Sequence, residues 1–489
     1  MRPMNLLILM SDQHNKKMTG CYGDPIVQTP NIDGLAARGV RFDAAYTCSP
    51  VCVPARAAFA TGYYNHQIGF WDNADAYDGS VESWHRVARE AGREAVSIGK
   101  LHFRSSDDDY GFSEAQIPMH VIDGTGDLMG LVRDDMPVRG AAWKMEGLAG
   151  PGESSYTFYD RTITARAQVW LHDVEKRAAG RPWVLFVSLV CPHYPLTAPP
   201  EHYYRYLDDP ALPMPRLRDA ARRLPHPYLR EYARVFNFDD HFDDDEKVRR
   251  AVAGYYGLCT FMDEQVGKVL AALDHTGLAG NTRILYTSDH GDNLGARGLW
   301  GKSTMYEEVA AVPLILAGPD IAGGRSTGVP ASHVDVYQTV LDGLGLASPA
   351  AGDGGRGGRH GTSLFALAEA PETDRTVLCE YHGMGSTAGV FMCRDRRYKY
   401  VHYVDHPPQL FDLEADPDET RDLGSDPAFA PVRDRLHARL LDFCDPDEVD
   451  RRAKARQAAL LQAAGGREAV IARGDLGFSP PPGIAAEFD

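Results

Sequence analysis

Four groups of reactive side chains stand directly after short apolar runs: Asp12-Gln13, Lys100 with His102, His193, and Asp289-His290. Asp12, Gln13, Asp289 and His290 offer hard oxygen and imidazole donors. Such a set suits a divalent cation (Ca²⁺, Mg²⁺ or Mn²⁺) better than a thiolate zinc site would. Lys100, His102, His193 and Lys302 are cations or proton donors, fitted to a tetrahedral anion and its leaving group. Acids that hold a metal beside bases that hold an anion make the layout of metal-assisted ester hydrolysis. That layout still lacks a nucleophile.

The segment from Cys48 to Gly62 supplies a candidate. Pro54 suits the first turn of a short helix that Gly62 would end. Cys52 then lies at the helix N-terminus, where backbone amides and the helix dipole favour an anion and lower a thiol pKa. Two plainer readings stay open: a cysteine buried in a turn, and a Cys48–Cys52 redox pair. The latter has three intervening residues, unlike the two of thioredoxin-like motifs.

These residues need elements to carry them. Leu6–Met10, Glu94–Ile98, Trp183–Val190, Arg283–Thr287 and Val312–Leu316 have the length and composition of buried strands. Helices are expected from Thr29-Pro30 to near Gly39, and from Trp84 to Ala91 capped by Ser83. Others are expected from His333 to Leu344 capped by Ser332, near Tyr159–Lys176, and over Lys247–Ala272. This alternation predicts an α/β fold: a large, mostly parallel (mixed) sheet sandwiched by helices. In an open sheet of that kind the ligand crevice lies at the carboxyl ends of the strands, where the four groups would converge.

A glycine-rich stretch from Ala351 to Gly361 breaks the pattern. Four short strands (Val377–Tyr381, Val390–Cys393, Tyr398–Tyr403 and Gln409–Leu413) and two further helices are expected after it. We therefore divide the chain into a catalytic domain, residues 1–370, and a smaller C-terminal α+β domain with a short antiparallel sheet and a tail, residues 371–489. The composition, 44% hydrophobic and 24% charged, is that of a globular protein. A formal net charge of −17 argues against nucleic acid or an anionic membrane as partner. No apolar run approaches the roughly 20 residues of a membrane helix. Leu6–Met10 is too short for a signal-peptide core. The eight cysteines are scattered rather than spaced as a framework, which fits a cytoplasmic location.

Cys52-Val53-Pro54-Ala55-Arg56 resembles the C-x-P-x-R signature of the sulfatase family, in the alkaline-phosphatase superfamily. Asn5–Gln13, Thr29–Ala36, Gly99-Lys100-Leu101-His102, Thr287–Gly291, and Leu410–Leu413 with Asp416–Glu419 resemble further family motifs in the same order. The resemblance implies an alkaline-phosphatase-like fold and oxidation of Cys52 to formylglycine, stored as a geminal diol. It implies metal ligands Asp12, Gln13, Asp289, His290 and residue 52, with Ca²⁺ favoured over Mn²⁺ or Mg²⁺. Arg56 would hold the diol, and Lys100 and Lys302 would neutralise the ester oxygens. His193 or Lys302 would protonate the leaving group, and His102 would deprotonate the remaining hydroxyl.

Many sulfatases carry Asp-Asp where this chain has Asp12-Gln13, which leaves the cation more electropositive. That Gln resembles the choline-sulfatase-like and phosphonate monoester hydrolase branches, as does Asn73, implied to contact the anionic oxygens. A quaternary ammonium would want an aromatic cage and a carboxylate; Glu380 with Tyr381 is the candidate fragment. The tail helix bearing Arg451, Arg452 and Arg456 is expected to clasp a neighbouring subunit of a homo-oligomer, a dimer or tetramer.

The leading expectation is hydrolysis of small organic sulfates, aryl or alkyl/choline-type, after maturation by a formylglycine-generating enzyme. The alternative is a phosphonate monoester or phosphodiester hydrolase with the same residues and cross-promiscuity. A third reading, a thiol protein without hydrolase activity, predicts no aldehyde at residue 52.

Overall fold

The computed structural model describes residues 2–178, 180–219, 223, 226–348, 357–370 and 374–489. Strands β1 (Asn5–Asp12), β2 (Gly39–Phe42), β3 (Ala95–Lys100), β4 (Glu114–Met119), β5 (Val184–Pro192), β6 (Thr282–Ser288), β7 (Leu314–Ala317) and β8 (Arg325–Thr327) form one sheet. Their order is β8-β2-β7-β6-β1-β5-β3-β4. β7 runs antiparallel to both its neighbours; the other pairs are parallel. The sheet is therefore mixed and mostly parallel, as expected.

β1 is central and buried along its whole length, which is why it reads as a continuous apolar run. Leu7 and Leu9 enter one core with α1 (Pro30–Ala37), α4 (Ser155–Ala178) and α5 (Asp245–His275). Leu6, Ile8 and Met10 enter the opposite core with α2 (Cys52–Thr61), α3 (Trp84–Glu90) and α6 (Asp335–Leu344). Each such buried Leu or Ile contributes about 1.5–3 kcal/mol. The two cores fix the strands rigidly, so the loops at their carboxyl ends start from defined positions.

A second, antiparallel sheet follows the chain: β9 (Val377–Tyr381), β10 (Val390–Arg394), β11 (Tyr398–Tyr403) and β12 (His406–Asp412). Lys399 of β11 locks it to the large domain. Its ammonium, fully buried, lies 2.7 Å from Glu307 and 2.8 Å from Glu419.

Two expectations need correction. Ser332 does not cap α6: it sits in a short strand, and Asp335 of the helix instead accepts its backbone N–H at 2.7 Å. Three helices, not two, follow the small sheet: α7 (Ala430–Phe443), α8 (Pro446–Ala463) and α9 (Arg467–Arg473). Arg452 and Arg456 bind their own chain. The former donates to the His66 carbonyl at 3.0 Å, and the latter pairs with Asp75 at 2.9 Å. Most of the glycine-rich stretch, residues 351–356, and the division at residue 371 lie outside the described residues. All eight cysteines are free. Among the described residues no helix is long and apolar enough to cross a membrane.

Candidate active site

The predicted residues converge where the strands end. Asp12 closes β1 with Gln13 beyond it, and Lys100 closes β3 with His102 beyond it. His193 follows β5, and Asp289-His290 follow β6. Adjacent registers bring these ends together, with β1 flanked directly by β5 and β6. Gln13 and His102 have φ of 64° and 58°. This left-handed backbone is unusual for non-glycine residues and concentrates at functional sites.

Asp12, Cys52, Asp289 and His290 each present a ligand atom within 4.8 Å of the others. Among the described residues no other group of three or more His, Cys, Asp or Glu side chains does so. Gln13 adds an observation of its own: its Oε1 is buried without a hydrogen-bond partner. A buried polar atom left unpaired is costly, and a cation would satisfy it. His290 turns Nδ1 to the Gly291 carbonyl at 2.9 Å, leaving Nε2 facing Cys52 Sγ at 3.1 Å. The residues present fit a divalent cation.

Arg56 is buried among these groups. Nε donates to Asp289 at 2.8 Å, Nη2 to Asp12 at 2.9 Å, and Nη1 to the Lys100 carbonyl and Ser188 Oγ, each at 2.9 Å. All three guanidinium nitrogens are thereby engaged, and Arg56 holds the two carboxylates beside residue 52. Asp12 is further held by Lys100 at 2.7 Å. Burial raises its pKa, but Lys100 and Arg56 outweigh this and keep it well below the carboxylate range.

Cys52 begins α2, with Pro54 in its first turn and left-handed Gly62 ending it. Lys302 Nζ lies 2.9 Å from its Sγ and 2.9 Å from His193 Nε2. Burial and Asp12 push the Cys52 thiol up, while Lys302, Lys100 and His290 overcome them and bring it below its ordinary value. Cys48 shows the contrast: it faces Ser332 at 3.4 Å, and burial pushes its thiol up to about 12. The two cysteines thus have opposite electrostatics, and neither is bonded to the other. Burial and Lys302 hold the His193 pKa well below its usual value. Its Nδ1 meets the Tyr194 carbonyl at 2.7 Å.

Above this centre opens a cleft of about 970 Å³ of empty space, part of it open to solvent. His102, His193, Lys302 and Asn73 line its floor; Tyr194, Tyr232, Phe236, Phe238, Tyr381 and Phe478 give it aromatic walls. Asn73 Oδ1 accepts from Val53 N at 3.2 Å. Glu380 does not reach the cleft. Alternation along β9 turns Tyr381 toward the cleft and Glu380 away. The Glu380 carboxylate is wholly buried between His66 at 2.9 Å and His382 at 3.0 Å.

The tail was not foreseen as part of the site. Asp475, Leu476, Gly477, Phe478 and Ser479 of the same chain line the cleft. Arg139 anchors them by pairing with both Asp475 and Asp127. Ser479 Oγ contacts His102 Nε2 at 3.1 Å, and its carbonyl accepts from the Tyr156 hydroxyl at 2.5 Å. The His102 Nδ1 is buried without a partner among the described residues.

The geometry agrees with comparisons to known proteins. The sulfatase family model matches residues 4–346. The chain belongs to the sulfatase family. It is a sulfuric ester hydrolase, with an N-sulphoglucosamine sulphohydrolase C-terminal model matching residues 295–445. This sulfatase is 32% identical over 433 residues to a choline-sulfatase of Rhizobium meliloti, covering 86% of this chain and 83% of that one. It is 30% identical to arylsulfatase K of Bos taurus, covering 91% and 82%. Among solved structures it resembles a phosphonate monoester hydrolase of Silicibacter pomeroyi, with a TM-score of 0.68 at 26% identity over 90% of this chain and 94% of that one. The mixed sheet with its small C-terminal antiparallel sheet is the fold of this family.

Proposed function

We propose that this sulfatase cleaves sulfate monoesters of small organic molecules whose apolar or aryl leaving group sits in the aromatic cleft. Cys52, matured to formylglycine, is the nucleophilic position. One observation carries the reading: the Cys52 side chain lies between the Asp12–Asp289–His290 cluster and the Lys302 ammonium, beneath that cleft. The hydrated aldehyde supplies one hydroxyl to attack sulfur and a second whose deprotonation releases the inorganic anion. Asp12, Gln13, Asp289, His290 and residue 52 would hold the divalent cation, Ca²⁺ by its preference for oxygen donors. Bound there, the cation would make that hydroxyl more acidic.

The chain's own residues do the rest. Arg56 fixes the Asp12 and Asp289 carboxylates, and Lys100 and Lys302 offset charge on the ester oxygens. Asn73, whose amide oxygen is already engaged, offers its N–H groups to the same oxygens. Lys302 brings the proton for the leaving group. His193 donates its Nδ1–H to the Tyr194 carbonyl, so its Nε2 accepts from Lys302 and has no proton to give. His102, with Nδ1 unpartnered, takes the proton from the second hydroxyl. The scheme needs a maturation enzyme in the host. The free cysteines fit a cytoplasmic setting, and we also propose a homo-oligomer.

A second reading, phosphonate monoester or phosphodiester hydrolysis, is favoured by Gln13, whose neutral amide leaves the cation more electropositive. Paired kinetics on one preparation decide. An aryl sulfate is expected to exceed an aryl phosphonate monoester in kcat/KM by at least about tenfold, some 1.4 kcal/mol, and a strong chelator is expected to abolish both. The formylglycine fraction, read from the mass of the residue-52 peptide, normalises the rates. Phosphonate preference would make the second reading the right one.

The cleft wall has its own test. Phe478→Ala removes an aromatic face and is expected to raise KM for an aryl sulfate roughly tenfold with kcat little changed. Unchanged KM would place the leaving group elsewhere.

A further inference from the structure

Gln13 faces a partner that the reaction scheme does not use. Its Nε2 donates to Asp292 Oδ2 at 2.5 Å. The other oxygen of that carboxylate, Oδ1, accepts from Leu294 N at 2.7 Å and Gly301 N at 3.1 Å. Asn15 Nδ2 holds the Asp292 carbonyl at 2.8 Å, and Gln13 N donates to Asp289 Oδ1 at 3.1 Å. Asp292 is 1% exposed, so these bonds are shielded from bulk solvent.

A carboxylate that receives three N–H groups only accepts. It therefore admits the Gln13 amide in one orientation: nitrogen toward Asp292, Oε1 away. That Oε1 is the buried acceptor without a partner. We propose that Asp292 is a positioning residue that turns the Gln13 amide oxygen toward the cation. Through Gly301 N the same carboxylate sets the loop that presents Lys302. The inference rests on Gln13 being a cation ligand. It also gives the amide at position 13 a physical reason, since a carboxylate there would face Asp292 with like charge.

The division of labour between the two oxygens permits an exchange test. In Asp292→Asn, Oδ1 can keep Leu294 N and Gly301 N, while Nδ2 replaces the oxygen that faced Gln13. Two amide nitrogens would then oppose each other, and Gln13 would flip, aiming N–H groups at the cation. In the double variant, Gln13→Glu with Asp292→Asn, the new amide at position 292 donates to one oxygen of the new carboxylate at position 13. The other oxygen of that carboxylate is left for the cation. The pair keeps its total charge.

Calorimetric titration with Ca²⁺ and Mn²⁺ reads affinity directly, without turnover. Asp292→Asn is expected to weaken binding by roughly 10–100-fold. The double variant is expected to recover to within about tenfold of wild type, and to recover any melting temperature the single change loses. Unchanged affinity in Asp292→Asn would overturn the inference. So would a double variant no better than the single in affinity and melting temperature, because a purely structural role of Asp292 would leave both equally impaired. Absence of cation binding by the wild-type protein would instead overturn the metal reading itself, and the inference with it.

Discussion

Replacing Cys52 by alanine is expected to lower kcat/KM for an aryl sulfate by about 10⁵-fold, the scale on which enzymes lose activity when a covalent nucleophile is deleted. The side chain is small and begins a buried helix, so the fold should survive: α2 keeps its first-turn proline and its Gly62 terminus. Cys48→Ala is the paired control. That thiol packs against Ser332 and the core beneath the small sheet, and its loss should cost stability rather than rate. Cys52→Ser is more informative still. A serine hydroxyl in this position can attack, but its ester carries no second hydroxyl to drive elimination, so the enzyme should stop after one turnover. Retention by Cys52→Ala of more than about a hundredth of wild-type kcat/KM, an effect under about 3 kcal/mol, would remove residue 52 from the chemistry.

The sheet and the floor of the site could be read from sequence for one physical reason. Strands buried on both faces are continuous apolar runs, and such runs end where polar residues begin. Asp12, Lys100 and Asp289 stand at those ends, so locating the strands located the residues. Glu380 was misjudged because alternation within a single strand decides which side chain meets the cleft, and the sequence pattern of β9 is apolar on both sides of it. Asp292 sits four residues beyond a strand and is defined by the rotamer it imposes on Gln13, a contact 279 positions apart in the chain. The tail was hardest to place. Asp475 to Ser479 carry no motif, and their position follows from one ion-pair anchor, Arg139, and a few hydroxyl–carbonyl bonds, none of them local in sequence.

Lys302→Ala gives the other large effect, and its size should depend on the leaving group. The lysine stands 2.9 Å from both Cys52 Sγ and His193 Nε2, largely buried by its neighbours. Burial disfavours its charge, yet Cys52 and Asp12 outweigh burial and raise its pKa; once residue 52 is formylglycine, Asp12 is the counter-charge that remains. Two contributions would be lost together. Charge neutralisation on the ester oxygens serves every substrate, at a cost of about 10²-fold in kcat. Proton donation matters only when the departing oxygen is basic, and there it adds roughly another 10²-fold. An alkyl sulfate should therefore lose about 10⁴-fold, and a nitrophenyl sulfate, whose phenolate leaves unaided, only about 10²-fold. His193→Ala should show a smaller version of the same split, since its Nε2 only steers the lysine. Equal losses on both substrates would mean that Lys302 acts by charge alone and that the proton reaches the leaving oxygen by another route. A larger loss on the nitrophenyl ester than on the alkyl one would contradict the proposed direction of proton transfer outright.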